Sequence, residues 1–115
     1  MLAPSEKEIQ NAILDYLATR ADVMAWPTAS VGLWDPTKRT YRRPGKHFLR
    51  GVADIIGIAA GQFLAIEVKT PKGRVSPEQD AFLSEIRRRG GIAFVARSVD
   101  DVIAEFTKRV WFRGA

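Results

Sequence analysis

The sequence has no cysteine, which excludes disulfides and thiolate metal sites. It has a single histidine, His47, so a zinc site would have to lean on carboxylates, an uncommon arrangement. No apolar run approaches the roughly 20 residues needed to span a bilayer. The opening segment, MLAPSEKEIQ, is too polar for a signal peptide. A cytoplasmic protein with no membrane partner is the expectation. Internal repeats are absent, and nothing in the sequence calls for an organic cofactor.

What is present fits one domain, residues 1–115, with 46% hydrophobic residues to fill a core. Lys and Arg number 18 against 13 Asp and Glu, a formal net charge of +5. That excess suits a polyanion such as nucleic acid, but only if the charges cluster near a chemical site. Hard, oxygen-ligated cations such as Mg²⁺ or Mn²⁺ suit this residue inventory better than soft ones.

Ser5 and Glu8 form a capping-box signature, and Ile9, Ile13, Tyr16 and Leu17 follow at helical period, predicting a helix over about Glu6 to Thr19. Val23 to Ser30 reads as a strand that Pro27 confines to an edge or breaks. Gly32 to Arg50, punctuated by prolines and glycines, reads as a basic loop or loose hairpin. Gly51 to Ala60 and Phe63 to Lys69 are apolar segments around a Gly61-Gln62 turn, together a hairpin. Ser76-Pro77 opens a second helix, with Ala81, Phe82, Leu83 and Ile86 as its buried side and Arg87 to Arg89 before Gly90-Gly91 as its end. Ile92 to Ala96 is a buried strand, and Ser98 or Asp100 caps a last short helix through about Phe106. The tail Val110-Trp111-Phe112 needs an apolar surface, its own core or a partner's. This order predicts an α/β fold, a mixed central sheet flanked by helices.

Charges interrupt the two most apolar strands. Asp54 sits inside Gly51 to Ala60, and Glu67 and Lys69 close Phe63 to Lys69. An unpaired buried charge costs several kcal/mol or more, so such residues need a reason. Two residues apart on a strand, Glu67 and Lys69 share one face, while Ile66 and Val68 point into packing. In a hairpin, Asp54 can lie beside Glu67. Two carboxylates can hold a hard cation, which polarises a phosphate, and an ammonium can orient water or neutralise developing charge. The bland alternative is a strand-end salt bridge, and an isolated Glu-x-Lys is usually that.

At these residues the sequence resembles the PD-(D/E)xK nuclease superfamily: Asp54, then Glu67-Val68-Lys69. More narrowly it resembles the VRR-NUC family (virus-type replication-repair nucleases) in its short stand-alone form. The matching stretches are Ser5 to Gln10, Gly51 to Gly57, Ala65 to Thr70, Ser76 to Gln79 and Gly90 to Val95. Where the superfamily name has Pro-Asp, this chain has Ala53-Asp54. The resemblance implies a restriction-endonuclease-like core and a Mg²⁺-dependent endonuclease, with Mn²⁺ as a substitute. It implies metal ligation by Asp54, Glu67 and the Val68 carbonyl, with Lys69 beside the attacking water. It also implies a first-helix glutamate and a glutamine after the motif, which Gln79 matches. Glu6 is the choice for the glutamate, because Glu8 is occupied by the capping box and because Glu6, three and seven residues before Ile9 and Ile13, is expected to share their inward face. Alone, Gln79 would read as an exposed residue of a first helical turn.

Lys38, Arg39, Arg42, Arg43, Lys46 and Arg50 cluster with Trp34, Tyr41 and Phe48 just before Asp54, and Lys72 and Arg74 follow the motif. Cations bind phosphates and aromatics stack on unpaired bases, so these are candidate DNA contacts. The expectation is structure-selective cleavage of DNA, with branched DNA such as a four-way junction as substrate, by a homodimer acting in replication, repair or recombination. The alternative is a catalytically silent nucleic-acid-binding module on the same fold.

Overall fold

The computed structural model describes residues 3–28, 34, 35, 37–41, 46, 47 and 49–113. The elements are α1 (Glu6–Ala18), β1 (Val23–Pro27), β2 (Trp34–Asp35), β3 (Thr40–Tyr41), β4 (Ile55–Ala59), β5 (Gln62–Val68), α2 (Pro77–Arg88), β6 (Ile92–Ala96) and α3 (Val99–Thr107). A four-stranded sheet runs β1-β4-β5-β6. The first two pairings are antiparallel, and β5 with β6 is parallel. The parallel pair needs a crossover, which α2 supplies. The sheet is therefore mixed, with helices on both faces, as the element order predicts. The basic segment holds a second, two-stranded sheet in which Trp34 pairs with Tyr41 and Asp35 with Thr40.

α1 and α3 cover one face. Their Ile9, Ile13, Leu17, Val102 and Phe106 pack with Ile55, Leu64, Ile66, Val68, Ile92 and Phe94 of the sheet. The tail completes this layer: the Trp111 ring meets Phe106 edge-on at 5.3 Å between centroids, and Phe112 lies 6.0 Å from the same ring. Of the two roles open to the tail, Trp111 and Phe112 thus serve the chain's own core. α2 covers the other face over a thinner cluster of Ala53, Ala65, Leu83 and Ala93.

Several boundaries differ from the sequence expectation. β1 ends at Pro27, after which Thr28 turns its hydrogen bonds toward the Ala53-Asp54 backbone. The hairpin turn is Ala60-Gly61, one residue earlier than expected, because Ala59 pairs with Gln62. Both turn residues have positive φ, +48° at Ala60 and +83° at Gly61, the signature of the two-residue turn whose twist matches the flanking strands. In α2 only Leu83 is fully buried; Phe82 and Ile86 are half-buried and Ala81 is exposed. That flank of the helix faces a cleft of about 580 Å³ that Leu49 and Arg50 border from the other side. Ser98, and not Asp100, caps α3, accepting from the Asp101 N–H at 3.2 Å.

Candidate active site

The site lies where the ends of β4 and β5 meet the first turn of α2. Along β5, Leu64, Ile66 and Val68 enter the main core, so Ala65 and Glu67 face α2. Glu67 is 1% exposed and is the one fully buried charged residue among those described. Asp54 immediately precedes β4, and its Oδ2 accepts from the Val68 N–H at 2.9 Å. The acid is thereby tied to the strand that carries Glu67. Lys69 Nζ stands 3.6 Å from Glu67 Oε2. The three charges expected to converge do meet.

Gln79 reaches them from α2. Its Nε2 donates to Glu67 Oε2 at 2.8 Å, while its Oε1 accepts from the Ser76 N–H at 2.9 Å. Glu67 Oε1 is buried with no hydrogen-bond partner among the described residues. Burial, followed by the adjacent Asp54 carboxylate, pushes the Glu67 carboxyl up to about 8; Lys69 opposes this, and Glu6 adds to it.

Asp54, Glu67 and Gln79 open into a cleft of about 480 Å³, also lined by Glu6, Leu49, Arg50, Gly51, Val52, Ser76 and Glu78. Glu6 is exposed at its wall, whereas Glu8 closes the α1 capping box with Ser5 at 3.0 Å. Arg50 is the candidate DNA contact that borders this cleft. Arg39 and Lys46 are exposed elsewhere on the basic segment, as is Lys38. Arg42 and Arg43 lie outside the described residues. Lys72 and Arg74 are exposed on the loop after Lys69, which Arg97 clamps by donating to the Thr70, Pro71 and Gly73 carbonyls.

Two parts of the site carry little signal in the sequence. Thr28 Oγ1 donates to the Ala53 carbonyl at 2.6 Å, and its N–H donates to the Asp54 carbonyl at 2.9 Å, so the end of β1 holds the backbone that presents Asp54. Gly51 has φ +73°, and a Cβ there would lie 2.3 Å from the Glu78 carbonyl oxygen and 2.6 Å from the Gln79 nitrogen. The backbone before Asp54 can rest on the first turn of α2 only because residue 51 is glycine.

The model of the VRR-NUC domain matches residues 6–100 of the chain. The chain belongs to the VRR-NUC family. It therefore carries a nuclease-type domain. No curated protein matches it. A solved structure described as a VRR_NUC domain protein is similar in fold, with a TM-score of 0.62 and 20% identity over 92% of this chain and 88% of its own. Both matches agree with the family that Asp54 and Glu67-Val68-Lys69 suggest in the sequence.

The donor set can be tested against a metal. Among the described residues, no three acidic or histidine side chains gather to hold a cation by themselves. Asp54 and Glu67 are hard oxygen donors, and Glu67 Oε1 is a buried oxygen that accepts no hydrogen bond from the described residues. Such a set fits a cation completed by a backbone carbonyl, water and phosphate oxygens, the habit of Mg²⁺.

Proposed function

We propose that this VRR-NUC domain is a Mg²⁺-dependent endodeoxyribonuclease, with Mn²⁺ able to replace Mg²⁺. The observation that carries the reading is Glu67: a buried carboxyl beside Asp54, with Oε2 held by Gln79 and Lys69 and Oε1 accepting no hydrogen bond from the described residues. Burial of that kind is costly without a ligand, which makes a ligand site the natural account of it. Asp54, Glu67 and the Val68 carbonyl would hold the ion, which supplies Lewis-acid charge against the scissile phosphate.

The chain's own groups do the rest. Water adds to phosphorus as a P–O ester bond breaks, and negative charge grows on the phosphate oxygens. The Lys69 ammonium, 3.6 Å from Glu67, is placed to orient that water and offset that charge. Gln79 holds Glu67, and Glu6 lines the wall of the same cleft. Arg50 at the cleft, with Lys72 and Arg74 on the clamped loop, would track the phosphate backbone; Lys38, Arg39, Arg42, Arg43 and Lys46 extend that contact along the basic segment.

Branched DNA, including four-way junctions, is the proposed substrate, in replication, repair or recombination. Cutting two strands takes two such sites, so the proposed active form is a homodimer. With Trp111 and Phe112 packed inward, the exposed Met24, Trp26, Ile58 and Phe63 across β1, β4 and β5 offer an apolar surface for it. A single monomeric mass in light scattering at micromolar concentration, with or without DNA, would remove the dimer.

The deciding experiment is cleavage of labelled linear, flap and four-way-junction DNA with and without Mg²⁺ or Mn²⁺, for the wild type and Lys69→Ala. Metal-dependent cleavage lost in the variant is expected, with the junction cut fastest. Tight binding without cleavage, unchanged by the substitution, would replace the enzyme with a silent binding module.

A further inference from the structure

We propose that Ser76 is a positioning residue for Glu67, acting through Gln79; this rests on the nuclease reading for its functional consequence, though not for its geometry. The two long helices begin alike. In α1, Glu8 Oε1 accepts from the Ser5 N–H at 3.0 Å and the Glu8 N–H donates to Ser5 Oγ at 3.1 Å. In α2, Gln79 Oε1 accepts from the Ser76 N–H at 2.9 Å and the Gln79 N–H donates to Ser76 Oγ at 3.1 Å. Glutamate and glutamine serve such a box equally well. The α1 box is exposed and ends with the helix. The α2 box continues, because the second atom of the Gln79 amide donates to Glu67 Oε2 at 2.8 Å.

A backbone N–H can only donate, so the Ser76 N–H forces the oxygen of the Gln79 amide toward itself. The amide nitrogen is left facing Glu67. A glutamate at position 79 would satisfy the cap and present an acceptor to an acid. Ser76 Oγ, by holding the Gln79 N–H, fixes the backbone from which this one-way bridge is built. Gly51 presses on the same turn from outside, its missing Cβ leaving room for the Glu78 carbonyl and Gln79 nitrogen. The consequence is a division of labour between the two oxygens of Glu67: Oε2 accepts from Gln79, and Oε1 accepts no hydrogen bond from the described residues. Ser76 sets which oxygen the protein keeps and which is left for a ligand.

The test reads the Gln79 side-chain amide directly. In ¹H–¹⁵N spectra of the full chain, its NH₂ pair is assigned by its disappearance in Gln79→Ala. In the wild type this pair is expected away from free-amide positions and slow to exchange; in Ser76→Ala it moves to free-amide positions, and in Ser76→Thr it returns. Ser76→Gly guards against loss of folding, since glycine at an N-cap costs only a few tenths of a kcal/mol relative to serine, yet it lacks the hydroxyl and is expected to release the amide too. In cleavage, Ser76→Ala is expected to lower kcat about tenfold with KM kept, the scale on which a misplaced catalytic group acts. It should add no further loss in a Gln79→Ala background. Unmoved Gln79 signals in Ser76→Ala and Ser76→Gly, or additive losses of kcat, would reduce Ser76 to an ordinary helix cap and overturn the proposal. If the wild type cuts no DNA, the nuclease reading fails, and the amide signals still decide the role of Ser76.

Discussion

Strand β5 divides two unlike interiors. Toward α1 and α3 it sends Leu64, Ile66 and Val68 into a layer that also holds Ile9, Ile13, Leu17, Val102 and Phe106. Toward α2 it sends Phe63, which is 41% exposed, then Ala65, then Glu67, over a fully buried cluster of three alanines and Leu83. Large apolar side chains on the first face supply most of the hydrophobic stabilisation. Small ones on the second let α2 approach closely enough for Gln79 to touch Glu67. A buried acid costs stability, and the fold tolerates it because the opposite face of the same strand carries the core. Stability and the proposed chemistry are separated here by the two-residue period of one strand.

Opposite substitutions on adjacent β5 residues should pull these two properties apart, and the largest effect is on activity. Glu67→Gln is expected to lower cleavage by about 10³-fold or more, the scale of losing a principal electrostatic group, while the protein stays folded. Its stability should also lose a pH dependence. The folded-state pKa of Glu67 is raised to about 8 from 4.5, so the folded protein holds a proton that the unfolded chain releases between those values. The metal-free wild type should therefore be most stable at and below about pH 4.5 as far as this group is concerned, and lose stability as pH rises toward 8. Glu67→Gln removes that slope and melts higher than the wild type at pH 8. Ile66→Ala should do the reverse: about 2–5 kcal/mol of stability lost, with cleavage per folded molecule retained well below its melting temperature. Thermal melts in EDTA at pH 5 and pH 8, paired with single-turnover cleavage, check all of this. A wild-type and Glu67→Gln pair with the same pH slope would show that the acid is not the source, and lost cleavage in fully folded Ile66→Ala would show that the faces are coupled.

How far the sequence discloses each face follows from the same separation. Asp54, Glu67 and Lys69 stand out because charge on an apolar strand is an anomaly visible in one dimension. The choice of Glu6 over Glu8 rests partly on a local pattern, the Ser5–Glu8 box, which Glu8 does close; the inward face expected for Glu6 does not hold, because Glu6 is exposed at the rim of the cleft rather than turned in with Ile9 and Ile13. Contacts between distant segments leave no such trace. Thr28 reaches Ala53 across 25 residues, and beside Pro27 it reads only as a strand end. Gly51 meets the first turn of α2 through backbone atoms, where glycine in a loop has many ordinary explanations. The buried side of α2 is overstated in the sequence because helical spacing shows that a residue is apolar, not whether a layer lies beneath it; Ala81 faces the cleft beside Leu49 instead. The tail shows the same limit, since Val110-Trp111-Phe112 is apolar whether it meets Phe106 or a partner, and only the ring contacts decide.

The smallest effect belongs to the end of the β4–β5 hairpin farthest from the site, where the sequence misplaces the turn. Ala60 has φ +48° and Gly61 φ +83°. Glycine adopts that region freely, whereas alanine is strained by its Cβ. Asparagine is the preferred first residue of this turn type, followed by glycine. Ala60→Asn makes that pair without touching the buried layers, because Ala60 is exposed. A gain of about 0.5–1 kcal/mol is expected from relief of the left-handed alanine. Glu67, five residues beyond Gln62 on β5, should not sense it, so cleavage and the pH slope of the melt stay at wild-type values. Urea titration measures the gain. A loss of stability would mean that Ala60 makes a contact worth more than its strain, and a change in cleavage would mean that the hairpin transmits strain from its turn to its acids, so that the two ends of β5 are less independent than its two faces.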